Sequence, residues 1–378
     1  MIRKVPFFNY PDVFTRYEEE FVSTLLDVGR RGAFILQRDL EEFERAAAAY
    51  VGAKHALGVG NATDGLIIAL RAADLRPGDE VLFSTHTFVA TAEAIHTVGG
   101  IPVPVDCDAD HLMDPSALVA AITDRTRAIL PTQLNGRTCR MDEIQAIADE
   151  YGLFIVEDAA QAFGARYRGR AAGTFGLASA ISFYPAKTLG CLGDGGLVLT
   201  NDDEMFRKLK LYRDHGRVAS GDVVVWAGNT RLDNLQAAFL NVKLRHYAKE
   251  IGRRREIAGK YQQSLQQLSE LTLPPGPDSD PDYFDIFQNY EIEAEGRDDL
   301  KLYLAERGVQ TLVQWGGKGV HQFRELGFTQ SLPRTEALLD RMLMLPMNTS
   351  LTDADIDYVC ENIASFYQLE GRASSGYG

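Results

Sequence analysis

From His55 onward, short apolar runs alternate with stretches of helical periodicity, and no other feature of the chain constrains its fold as tightly. The strand-like runs fall at 56–59, 80–83, 101–105, 128–131 and 153–156, separated by amphipathic segments long enough to be helices. Strands joined through helices run mostly parallel, and a parallel sheet is covered on both faces, so its strands read as unbroken apolar blocks. The expectation is α/β: a large domain with a mostly parallel sheet between helices. Ahead of it, 13–28 and 38–52 have helical spacing, with Leu40, Phe43 and Ala47 on one face, Asp39 as N-cap and Gly52 as the stop. A long helix from 233 to about 268 leaves this domain, and the Pro- and Asp-rich stretch 273–282 punctuates the chain. A smaller α+β domain follows, with strands at 287–292 and 310–314 and helices at 298–306, 333–344 and 352–367. The domains read as 1–250 and 251–370, with 371–378 a disordered polar tail.

Two strand ends carry candidate chemistry. The apolar run 154–156 stops at Glu157-Asp158, and ligands of open α/β sheets bind just beyond the carboxyl ends of the strands. A second apolar run, 180–184, leads into Pro185-Ala186-Lys187 and the glycine-rich loop 190–196. A lysine in apolar company loses hydration that favours its charge and becomes a usable amine nucleophile. An acid and a lysine facing one site meet the needs of pyridoxal 5′-phosphate: the amine forms the Schiff base and the acid partners the pyridine nitrogen. Singly, each reads more simply as a solvated surface charge. The helix opening near Ala62, after G-V-G-N-A-T-D-G-L, offers free N–H groups and a positive dipole end for a phosphate. Gly58-x-Gly60-x-x-Thr63 is also a dinucleotide fingerprint without its third glycine, so a nucleotide-dependent dehydrogenase is a rival reading.

The motifs E-D-A-A-Q-A, G-T-F-G, S-F-Y-P-A-K-T-L-G and G-D-G-G follow one another between 157 and 196. With A-T-D-G-L at 62–66, T-F-V-A-T at 87–91 and W-A-G-N-T-R-L-D at 226–233, the chain resembles the DegT/DnrJ/EryC1/StrS sugar aminotransferases over nearly its whole length. The resemblance implies a fold type I enzyme of the aspartate-aminotransferase kind with pyridoxal 5′-phosphate as cofactor. It implies that Lys187 and Asp158 are catalytic and that Gln161 bonds the ring hydroxyl. It places Phe88 over one face of the ring and Ala160 on the other. Ala62, Thr63 and Ser182 fall at the phosphate, joined by Asn229 from the neighbouring subunit of a homodimer with shared sites. On their own, Phe88 reads as a core aromatic and Asn229-Thr230 as a loop before Asp233 as helix cap. The implied reaction is a two-step transamination from L-glutamate to a nucleoside-diphosphate-linked 3-keto or 4-keto-6-deoxyhexose. Some relatives carry histidine at the lysine position and dehydrate; Lys187 points to amino transfer.

Departures from the family pattern fall mostly in the expected substrate pocket. Gln133 stands where histidine is frequent and is expected to retune the pocket, and Ala62 replaces a usual glycine. In Q-W-G-G-K-G-V-H (314–321) only His321 is retained; Trp315 and Lys318 read as sugar or diphosphate contacts, or as a buried indole and a solvated amine. Arg30 and Arg31 read as contacts to a substrate phosphate, or as surface charges.

Charge and composition narrow the function classes. Fifty-three acidic residues against 39 basic give a net charge of −14, which disfavours a nucleic-acid partner. A non-catalytic cofactor-binding regulator would need a DNA-binding module that neither end supplies. No run approaches the roughly 20 apolar residues of a membrane helix, and Asn9, Pro11 and Asp12 interrupt the N-terminus before a signal segment forms. Cys107, Cys139, Cys191 and Cys360 lie far apart without metal-ligand spacing, as expected of reduced thiols in a cytoplasmic protein without a metal site. Cys191, close to Lys187, reads as a small packed side chain.

Overall fold

The computed structural model describes residues 3–375. Seven strands form the main sheet: β1 (His55–Val59), β2 (Glu80–Ser84), β3 (Ile101–Val105), β4 (Thr126–Leu130), β5 (Phe154–Asp158), β6 (Ala178–Ser182) and β7 (Gly196–Thr200). Their order is β1-β7-β6-β5-β4-β2-β3. Strands β2 to β6 pair in parallel, whereas β7 runs antiparallel to both β6 and β1. The strand expected to open the parallel alternation lies at the sheet edge, running in the same direction as β2 to β6 but separated from them by the reversed β7. An apolar run reports burial and leaves direction open. This placement also removes the dehydrogenase reading, because a dinucleotide fingerprint follows a strand that is parallel to its neighbours in the sheet interior.

Successive strand residues enter opposite cores, as a two-residue period requires. Val81, Phe83, Val156 and Val198 pack with Leu66 and Ala69 on one face; Leu82 and Ile155 pack with Ile144 and Ala148, and Leu197 and Leu199 with Phe43 and Ala47, on the other. The long helix Asn234–Leu265 connects this body to the C-terminal α+β portion. Its Leu240, Tyr247 and Ile251 belong to the first body; Ile257, Tyr261 and Leu265 belong to the second core, which Val5 also joins. There β8 (Leu271–Thr272), β9 (Tyr290–Ala294) and β10 (Met342–Leu345) form an antiparallel sheet.

Several boundaries differ from the sequence reading for identifiable reasons. The segment 333–344 divides into the helix Pro333–Arg341 and β10. Its Met-Leu-Met-Leu run is buried on all sides, so periodicity alone does not tell strand from helix. The expected strand 310–314 reduces to one bridge, Leu312 to Met344, before a tight turn over Gln314–Gly317. The first helix is two, Tyr10–Thr15 and Glu18–Arg31. Asp39 lies inside the helix Arg38–Val51, where its carboxylate accepts from Arg31 and Asn234 instead of capping. Residues 371–375 of the expected tail fall in the helix Asp353–Ser375; 376–378 lie outside the described residues. Among the described residues no helix is long and apolar enough to cross a membrane, and no group of three His, Cys, Asp or Glu side chains is arranged to hold a metal ion.

The seam between the two portions holds a buried His–Glu cluster. Glu291 of β9 accepts from His111 Nδ1 at 2.9 Å, His111 Nε2 lies 3.3 Å from Glu293, and His86 Nε2 lies 3.5 Å from Glu291. Burial pulls the His111 imidazolium down, but hydrogen bonds to Glu291 and Glu293 outweigh it and hold the group at about 9. Because its folded value lies above the ordinary 6.5, this stabilisation is complete below about pH 6.5 and is lost as pH rises through about 9. Thermal unfolding followed from pH 6 to 10 should show the midpoint falling across that window, and His111→Asn should flatten the slope.

Candidate active site

β5 delivers two acids to opposite faces of the sheet. Glu157 is fully buried and accepts from the backbone N–H groups of Gly173, Phe175 and Gly176 and from Gln133 Nε2. Burial pushes its carboxyl up, against the pull of those donors. Glu157 thereby fastens the G-T-F-G turn beneath the sheet. Gln133 belongs to the same buried network, since it is 0% exposed and its Oε1 accepts from Cys139 N at 2.7 Å. The expectation that Gln133 faces the substrate is corrected, because both ends of its amide are consumed inside the protein.

Asp158 turns to the other face. Its Oδ2 accepts from Thr91 Oγ1 at 2.7 Å and its Oδ1 from Ala160 N at 3.1 Å. Burial raises its carboxyl; Thr91, Ala160 and the charge of Lys187 pull it back. Lys187 lies in the turn after β6, half-buried, its N–H donating to Tyr184 O at 2.8 Å. Burial lowers its ammonium to about 8, with Asp158 acting in opposition. Among the described residues no acceptor bonds its Nζ. Gln288 clamps the turn from the C-terminal portion, accepting from Thr188 N at 2.8 Å and donating to Ala186 O at 3.0 Å. Cys191 is buried, its thiol donating to Phe183 O, and burial pushes it up to about 12.

The helix Ala62–Ala72 begins beside β6 and β7. Asn61 caps it, accepting from Asp64 N at 2.8 Å, and leaves the first-turn N–H groups of Ala62 and Thr63 open. Gly196 is required here: a Cβ on it would lie 2.6 Å from the Asn61 carbonyl carbon. Ser182 Oγ, at the end of β6, accepts from Tyr184 N at 3.3 Å. Thr230, which reads as a loop residue in the sequence, ties this corner together. Its Oγ1 accepts from Gly60 N and donates to Asp64. Asn229 beside it is exposed, on a segment that also exposes Val223, Val224 and Trp226, the last by 90%.

Phe88 is 55% exposed, unlike a core aromatic, and Ala160 is half-buried next to Asp158. Gln161 Oε1 accepts from Asn135 N at 3.0 Å and from Asn289 Nδ2 at 3.3 Å, and neither asparagine stands out in the sequence. Gly136, with φ +90 and room for no Cβ against Phe287 N and Gln288 N, lets these two portions meet. The remaining expected substrate contacts scatter. His321 is 0% exposed, its Nδ1 bonded to Thr85 Oγ1 at 2.7 Å and its Nε2 3.2 Å from Glu336. It braces the loop after β2, and its placement corrects the expectation of a substrate contact. Trp315 packs edge-on against His86, half-buried, and Lys318 is exposed. Arg31 is committed to Asp27 and Asp39, which leaves exposed Arg30.

The donor set fits pyridoxal 5′-phosphate. A lysine amine without an acceptor faces a buried carboxylate, and the helix beginning at Ala62, with open first-turn N–H groups, packs against the strand that leads to that lysine. Sheet order and site together define a fold type I pyridoxal-phosphate aminotransferase. The chain belongs to the DegT/DnrJ/EryC1/StrS aminotransferase family, which it matches over residues 15–364. It is 39% identical over 369 residues to the "Pleiotropic regulatory protein" of Geobacillus stearothermophilus, covering 96% of this chain and 99% of that one. It is 39% identical over 354 residues to the dTDP-3-amino-3,4,6-trideoxy-alpha-D-glucose transaminase of Streptomyces venezuelae, covering 92% of each. The crystal structure of S. venezuelae DesV superposes with a TM-score of 0.92 at 37% identity, covering 96% of this chain and 98% of that one. Solved relatives in PMP and PLP forms share the fold. The protein is a pyridoxal-phosphate-dependent sugar aminotransferase.

Proposed function

We propose that the protein transfers the amino group of an amino acid, L-glutamate, to a nucleoside-diphosphate-linked 3-keto or 4-keto-6-deoxyhexose. The observation that carries this reading is the Lys187 amine, lowered to about 8 and without an acceptor, opposite Asp158. Bound pyridoxal 5′-phosphate supplies the electron sink that makes the donor's α-proton removable. Lys187 Nζ takes that proton, and in the second half-reaction it places one on the sugar carbon that receives nitrogen. Asp158 offers its carboxylate to the ring nitrogen, Gln161 its amide to the ring hydroxyl, and Phe88 and Ala160 cover the ring faces. Thr63, Ser182 and the backbone at Ala62 hold the phosphate. Trp315, Lys318 and Arg30 are the side chains left to meet the sugar nucleotide. The enzyme acts in the cytoplasm, with a large domain at about 1–250, whose N-terminal Val5 reaches across to the other core, and a small one beginning within the long helix from about 251.

Two copies share their sites across a two-fold interface, Asn229 of each reaching the other's phosphate. Exposed Val223, Val224 and Trp226 support this, since an apolar patch of that kind is ordinarily covered. Sedimentation should show a dimer, and Trp226→Ser should weaken both dimerisation and cofactor retention. A monomeric Trp226→Ser variant with unchanged cofactor affinity would reject the shared site. The reaction is tested with a panel of nucleotide-linked 3-keto and 4-keto sugars and glutamate, the products read by mass and NMR. Absence of an amino sugar across the panel would overturn the reading.

A further inference from the structure

Three buried threonine hydroxyls run in series into Asp158. Thr132 Oγ1 donates to Thr87 Oγ1 at 2.9 Å, Thr87 and Thr91 hydroxyls lie 2.8 Å apart, and Thr91 donates to Asp158 Oδ2 at 2.7 Å. None of the three is more than 4% exposed. Each hydroxyl owns one hydrogen. Those of Thr132 and Thr91 are committed, so the Thr87 hydrogen must point to Thr91, and the chain has a single polarity ending at the carboxylate. The links come from separate elements: Thr87 from the loop after β2, Thr91 from the first turn of the helix Ala90–Thr97, Thr132 from the loop after β4. Thr132 is fixed in turn by its N–H donating to Ser84 Oγ at 3.0 Å. A buried hydroxyl needs only some partner, and a nearby carbonyl usually serves. Here all three spend their hydrogens toward one carboxylate, and hydroxyls in series polarise one another.

We propose that Thr91, backed by Thr87 and Thr132, is a positioning residue that fixes the Asp158 carboxylate and keeps it ionised where it meets the cofactor ring nitrogen. This rests on the reading of Asp158 as the ring-nitrogen partner. Thr87 stands in the loop after β2 and Thr91 in the first turn of the helix Ala90–Thr97 that the loop leads into, and the chain between them folds back so that their hydroxyls meet. Thr91 occupies one lone-pair direction of Oδ2 and Ala160 N one of Oδ1, so the carboxylate presents its remaining edge in a single orientation.

The test uses the full-length holoenzyme reconstituted with ¹⁵N-labelled pyridoxal phosphate. Thr91→Val keeps the shape and deletes the donor; Thr91→Ser keeps the donor and deletes a methyl. Thr91→Val should lower kcat roughly 10- to 100-fold, the worth of a charge-assisted hydrogen bond, with KM for the sugar nucleotide nearly unchanged. Its ring ¹⁵N signal should move toward the unprotonated value, because a carboxylate robbed of a donor is more basic and draws the shared proton away. Thr91→Ser should restore both kcat and the signal, and Thr87→Val should give a smaller effect of the same kind. A packing role predicts the reverse ranking, with Thr91→Ser the worse variant, and that result would overturn the proposal. So would a wild-type ¹⁵N signal in Thr91→Val. Asp158→Asn separates the two levels: if it keeps full activity the reading of Asp158 fails, whereas an inactive Asp158→Asn beside an unaffected Thr91→Val sinks the relay alone.

Discussion

Replacing Lys187 with alanine should lower turnover by at least about 10³-fold, because it removes both the covalent anchor and the group that moves the proton. The structure gives this lysine no structural duty at its tip: no acceptor among the described residues bonds Nζ. The variant should therefore fold with near-normal stability, which separates lost chemistry from lost structure. Burial sets the pH dependence. With the ammonium lowered to about 8, the neutral amine of the cofactor-free protein grows as pH rises through that value. Reconstitution with pyridoxal phosphate, followed by absorbance, should accelerate over the same range, and borohydride should then fix the cofactor at residue 187. Residual transamination above about one per cent of wild type in Lys187→Ala would reject its role as the proton carrier.

Asp158→Ala should be nearly as damaging, on the order of 10³-fold in kcat, for an electrostatic reason. The carboxylate is buried, and three influences keep it usable: Thr91, the Ala160 N–H and the charge of Lys187. A cation brought against it adds a fourth. Without it, the ring nitrogen has no anionic partner and the electron sink is weakened. Binding of the cofactor should fall less than turnover, since the corner proposed for the phosphate, at Thr63 and Ser182, lies elsewhere. Equal losses in cofactor affinity and in kcat would mean that Asp158 is a binding group only.

Much of this site was legible in the sequence because its chemistry stands where apolar runs stop. Asp158 ends one such run and Lys187 follows another, and buried strands ending in charge are conspicuous. What the sequence hid was direction. Glu157 and Asp158 are adjacent and equally acidic, yet a two-residue period sends one to the G-T-F-G turn and the other to Lys187. Gln133 and His321 sit in the right motifs but turn inward, and only their partners, Glu157 and Thr85, reveal it. The antiparallel turn of β7 and the strand in 342–345 escaped for the same reason, since apolar blocks carry no arrow. Thr87 and Thr91 were in plain view inside T-F-V-A-T, but their contact depends on a loop leading into a helix, which no periodicity reveals.

A single amide from the far side of the molecule brackets the reactive turn, holding the residue before Lys187 by its carbonyl oxygen and the residue after it by its backbone nitrogen. The fault line between the two halves thus passes through the backbone on either side of Lys187. A truncated chain ending after the long helix would keep the corner proposed for the phosphate and Asp158, yet let the amine wander. Such a fragment should behave as a vitamin B6 sponge, taking up the coenzyme without turning it over.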